Sequence, residues 1–157
     1  MAGNATSSRQ SLTQALGSVA KAQAAVQALA DNFDGWMHEE VAKLDAAREV
    51  LPRDGYGIEA VSVLYMRAHD MKGLAPTFGY PLIHQLAAGL CVLIDDDNLP
   101  FESRLPLIDD HIDAIRTLAS KKVRSQADPF GRKLVAQLEG DLRQLMEQRA
   151  QTAAFAP

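Results

Sequence analysis

Cysteine is nearly absent from this 157-residue chain, with Cys91 alone. That excludes an internal disulfide framework and a thiolate-cluster metal site, and it points to a reducing, cytoplasmic setting. Long apolar runs are missing too: nothing approaches the ~20 residues that cross a bilayer, and the polar start from Met1 to Gln10 has no apolar signal core. No membrane contact is expected. Positive charge is not in excess, since 16 Lys and Arg face 20 Asp and Glu for a net charge of -4, and Lys121-Lys122-Val123-Arg124 is only a short basic cluster. Nucleic acid is therefore not an expected partner. The Glu-x-x-His unit of di-iron bundles does not occur, which leaves His38, His84 and His111 on solvated faces. Asp95-Asp96-Asp97-Asn98 lacks the following Gly and distal Glu of a calcium loop and reads as a capped turn. Neither metal nor cofactor is expected.

Aromatic residues are scarce at 6%, while hydrophobic residues reach 47%. With abundant Ala, Leu and Gln, this composition favours helix over sheet. Residues 1–10 are expected to be disordered, 11–150 to form a single helical domain and 151–157 to be a tail. A first helix is expected from Ser11 to Ala30, with Leu12, Leu16, Val19, Val26 and Leu29 at helical spacing. Asp31-Asn32-Phe33-Asp34-Gly35 has turn chemistry, and a second helix from Trp36 stops before Pro52. Pro52-Arg53-Asp54-Gly55-Tyr56-Gly57 is a further turn. A third helix, Ile58 to Ala75, carries the apolar stripe Val61, Leu64, Ala68, Met71 and Ala75.

Pro76 is expected to end the third helix, and Pro81 to open a fourth carrying Leu82, Leu86, Leu90 and Leu93. A fifth helix bears Ile108, Ile112, Ile115 and Leu118, with Pro106 in its first turn. Asp128-Pro129 opens a sixth by cap and first-turn proline. Short connections make neighbours antiparallel. The expected fold is all-α: an antiparallel four-helix bundle spanning about 34–125, with additional N- and C-terminal helices.

The chemistry concentrates in Ala68-His69-Asp70-Met71-Lys72-Gly73, with a second glycine at Gly79. His69 lies roughly 120° around the third helix from the centre of the apolar stripe, so it faces solvent. An exposed imidazole, partly neutral near pH 7, can accept a phosphoryl group. Lys72, one turn on, can stabilise the charge spread over the transferring oxygens. Gly73 leaves room for those oxygens and for a docking backbone, which accounts for a glycine that costs up to ~1 kcal/mol in a helix. Tyr65 and Met66 form a small apolar rim suited to a docking protein, and Gly79 is expected to join them in partner binding.

The pattern His69-x-x-Lys72-Gly73 with Gly79 six residues further resembles the histidine-containing phosphotransfer (HPt) domain family. The resemblance covers about residues 34–125. It implies His69 as phosphoacceptor, Lys72 as neighbouring cation, Gly73 as clearance residue and Gly79 as the helix-to-helix turn. It further implies a phosphoryl carrier without autokinase activity, whose partners are response-regulator receiver domains and hybrid histidine kinases. Where members of that family often hold a glutamine on the following helix, this chain has Cys91, read from its apolar neighbours as a core filler. Two other functions compete. One is the dimerisation and phosphoacceptor module of a histidine kinase, suggested by His69-Asp70 but opposed by Lys72-Gly73 and by the lack of a glycine-rich ATP-binding segment. The other is a non-catalytic helical interaction module.

Overall fold

The computed structural model describes residues 3–53 and 55–156. Within them the fold is all-helical, with five helices and no strand: α1 (Gly3–Val50), α2 (Ile58–Thr77), α3 (Pro81–Asp95), α4 (Phe101–Ser120) and α5 (Pro129–Ala154). Helix α3 packs against α2, α4 and α5, while α1 packs against α2 and α4. The core between them is aliphatic, with Leu44, Leu64, Met71, Ile83, Leu90 and Ile108 fully buried. Among the described residues, no helix is long and apolar enough to cross a membrane.

The first two expected helices are one. Helix α1 runs unbroken through 31–35, where a turn was expected. Tertiary contacts override the weak helix propensity of those residues: Asp34 is buried, and its carboxylate accepts hydrogen bonds from the Tyr80 hydroxyl and the Arg124 guanidinium. Arg124 also donates to the carbonyls of Ala30 (2.7 Å) and Phe78 (3.1 Å) and lies 5.0 Å from the centre of the Tyr80 ring. One ion-paired node thus fastens α1, the α2–α3 turn and the segment between α4 and α5. Burial alone would raise the Asp34 carboxyl, but the Tyr80 and Arg124 hydrogen bonds hold it below the usual carboxylate range.

Helix α1 also begins at Gly3, so 3–10, read from composition as disordered, are helical; Met1 and Ala2 lie outside the described residues. From residue 5 to residue 29 every position is exposed. The turn after α1 carries two consecutive left-handed residues, Gly55 and Tyr56, and the Tyr56 amide returns to the Leu51 carbonyl at 3.2 Å. Asp54, part of the expected turn, lies outside the described residues.

Helix α2 buries Ala60, Leu64, Ala68, Met71 and Ala75, with Val61 only partly covered, close to the expected stripe. It continues two residues past its expected end, because Pro76 sits inside the last turn rather than stopping it. Gly79 takes φ +83, and a Cβ there would come within 2.9 Å of Arg124 Nη1. Only glycine meets both demands without strain. Pro106 is inside α4, past its first turn, because the helix starts as early as Phe101. The Asp128 side chain caps α5 through the Gly131 amide at 2.7 Å. That helix runs past Ala150 to Ala154, so 151–154, placed by the sequence in the tail, are helical.

Candidate functional site

The apolar stripe of α2 decides where the motif points. With Leu64, Ala68 and Met71 buried against the other helices, His69 and Gly73 are left on the exposed side and Lys72 is half-buried between. Among the described residues no hydrogen bond or ion pair engages the His69 imidazole; its one ring neighbour is Tyr65, one turn earlier, with centroids 6.2 Å apart and planes inclined by 32°. Met66 is 49% exposed on the same helix. Nothing lies within 4 Å of where a Cβ on Gly73 would sit. A side chain there would project into open space beside the histidine. The Asp70 carboxylate is engaged 3.8 Å from the Arg67 guanidinium.

The structure therefore brings His69, Lys72, Gly73, Tyr65 and Met66 to neighbouring turns of one helix. Gly79 does not join them. It lies in the turn beyond the end of α2, and its neighbours are Arg124 and the carbonyl of Pro76, at 3.1 Å from its amide. Its role is to make the turn.

Cys91 and His84 of helix α3 both interact with Lys72. Cys91 is buried; burial pushes its thiol up, against the pull of the nearby Lys72 ammonium. It stays a protonated filler rather than a nucleophile. The polar side chain that α3 does offer is His84, half-buried, with Nδ1 2.8 Å from the Lys72 carbonyl oxygen. Because that oxygen can only accept, Nδ1 carries the proton and donates. Composition and spacing placed His84 on a solvated face. The signal that could have found it is Pro76: proline has no N–H, so it leaves unserved the carbonyl four residues earlier, which is that of Lys72. His84 serves it.

Of the remaining histidines, His38 lies on the expected solvated face and His111 does not. His38 is exposed and its Nδ1 is bonded to the Asp34 carbonyl at 2.7 Å. His111 is 1% exposed, with Nδ1 on the Leu107 carbonyl at 2.8 Å, and burial holds its pKa below the usual value. It fits because residue 89 is glycine; a Cβ there would come within 2.9 Å of His111 Nε2. Among the described residues no group of three or more His, Cys, Asp or Glu side chains could hold a metal ion. The carboxylate of Asp96, in the acidic turn, accepts from the Asn98 amide at 3.0 Å and from Arg149 at 3.0 Å. It closes that turn and ties it to α5.

One concavity adjoins the site. Tyr65, Ser62 and Val61 of α2 line it with Phe101 and Arg104 of α4, enclosing about 360 Å³. The buried Arg104 guanidinium donates to the Leu93 and Ile94 carbonyls, which closes the C-terminal end of α3. What α2 presents is thus an exposed, unengaged imidazole flanked by a cation, a gap and an apolar rim. Comparison with family models, with curated proteins and with solved structures finds no match to this chain.

Proposed function

We propose that this chain is a histidine phosphotransfer protein. It relays phosphoryl groups between aspartates of response-regulator receiver domains, including those of hybrid histidine kinases, and has no autokinase activity. The observation that carries this reading is the exposed, unbonded imidazole of His69 on α2, with Lys72 and the open space over Gly73 on adjoining turns. An unprotonated ring nitrogen attacks the phosphorus of a receiver's phospho-aspartate; the N–P bond forms as the acyl P–O bond breaks and the carboxylate departs. The reverse step loads the next receiver. Lys72 offsets charge on the phosphoryl oxygens in both directions.

The fold that goes with this reading is an antiparallel four-helix bundle made by α2, α3, α4 and the C-terminal part of α1, with α5 and the N-terminal half of α1 as additions. The short α2–α3 and α3–α4 connections and the packing of α1 on α2 and α4 support it. The reading is tested by offering the protein a panel of phosphorylated receiver domains. Label should move to the chain from at least one of them and then on to a second receiver; a panel that transfers nothing overturns the proposal.

A further inference from the structure

The exposed half of α1 is not a random surface. Leu12, Val19, Val26 and Phe33 recur every seven residues, and so do Leu16, Gln23, Ala30 and Met37, offset by three and four. Such a seven-residue repeat marks the seam of a helix pair. The lower part of this stripe is already used: Met37 and Leu44, one heptad apart, are fully buried where α1 packs on α2 and α4. The upper part is vacant, with Leu12 and Leu16 62% exposed, Val19 54% and Val26 69%. It reaches about 37 Å beyond the packed helices at 1.5 Å per residue.

We propose that a second copy of this chain covers it, the two N-terminal segments pairing antiparallel around Val19. Area, sterics and charge each favour that occupant. Covering the exposed leucines and valines with the alanines between them removes at most about 600 Å² per chain, about 1,200 Å² for the pair, which reaches the lower edge of stable interfaces. Ala15 and Ala22 flank the seam with small side chains, so the two helices can approach closely. A parallel partner is blocked. Running on past residue 30, it would enter the space where α1 packs on α2 and α4. The antiparallel alignment keeps the two packed bodies at opposite ends. It also keeps the two Arg9 side chains at opposite ends of the pair, whereas a parallel one sets Arg9 against its own copy.

An unpaired helix of this kind is costly to maintain. Its first turn has no acidic residue, it contains Gly17, and in proteins most helical stability comes from a covered apolar face. The second copy supplies that cover. The proposal stands apart from the phosphotransfer reading, since none of these residues belongs to the His69 surface.

Analytical ultracentrifugation of the full chain at micromolar concentration tests it. The native protein should show twice the mass of one chain, and the double variant Leu16→Asp, Val19→Asp should show one, with reduced helical content and unchanged unfolding of the packed body. Both replaced residues are exposed in the single chain. Two variants with one added cysteine each fix the direction: Val19→Cys sits at the crossing and should oxidise to a linked pair, while Leu12→Cys, placed opposite Val26 of the partner subunit, should not. Cys91 is buried and stays out of that reaction. A one-chain mass for the native protein, or a Leu12→Cys link as efficient as that at Val19, overturns the proposal.

Discussion

His84 donates to the Lys72 carbonyl, at 2.8 Å, the hydrogen bond that Pro76 cannot supply. A proline in the last turn of α2 is thus tolerated because the next helix carries a donor at the matching level. The same contact holds the turn of α2 from which Lys72 projects.

That coupling is measurable. His84→Ala should destabilise the protein by about 1–2 kcal/mol, since it leaves a partly buried carbonyl without a partner. In a Pro76→Ala background the helix regains its own N–H, so the cost of His84→Ala should fall by about 1 kcal/mol. Denaturant unfolding of the four proteins of the cycle checks this; additive costs would contradict the assignment.

Gly73 and Gly79 should respond to alanine in opposite directions. At Gly73 the backbone is helical and the added methyl meets nothing, so stability should rise by up to ~1 kcal/mol. Transfer should nevertheless slow if the gap admits the partner. At Gly79 the left-handed backbone and Arg124 Nη1 at 2.9 Å oppose a side chain, and the cost should be about 1–3 kcal/mol. Thermal unfolding and phosphotransfer rates measured on both variants separate the two roles.

Acid should weaken the fold in two stages. The His111 pKa is lowered in the folded state, so below about pH 6.5 the unfolded chain binds a proton that the folded chain refuses, and stability falls as pH drops. The slope from this group is at most about 1.4 kcal/mol per pH unit. His111→Leu should flatten it. The carboxyls of Asp34 and Asp96 lie below their usual value of 3.8 when folded. Their stabilisation is present above about pH 4 and is lost as pH falls from there toward their folded values. Equilibrium unfolding across that range, in wild type and His111→Leu, resolves both stages.

Lys72→Ala should leave helicity unchanged while lowering the rate of phosphoryl transfer by about tenfold or more, because it removes a cation beside the developing charge. Lys72→Arg should recover part of the rate. Circular dichroism with single-turnover transfer kinetics checks this; a loss of helix would mean that the side chain supports the fold instead.

What could be read in advance follows the range of the interactions. The exposure of His69 was legible, because it depends only on the stripe of its own helix, Leu64, Ala68 and Met71. The Asp128 cap of α5 was legible for the same reason. The continuity of α1 was not: Asp34 carries turn chemistry locally, and its partners Tyr80 and Arg124 lie 46 and 90 positions away. His84 stayed hidden likewise, since its meaning lies in a carbonyl freed on another helix. Burial of His111 depends on a gap at Gly89, which nothing near residue 111 reveals.

The most direct test of the central claim is to incubate the protein with a labelled phospho-receiver domain and map the label by mass spectrometry. Acid-labile, alkali-stable phosphate should appear on His69 and disappear in His69→Ala, whose circular dichroism should match the wild type. Absence of label on the native protein, or equal labelling of His69→Ala, would contradict the account.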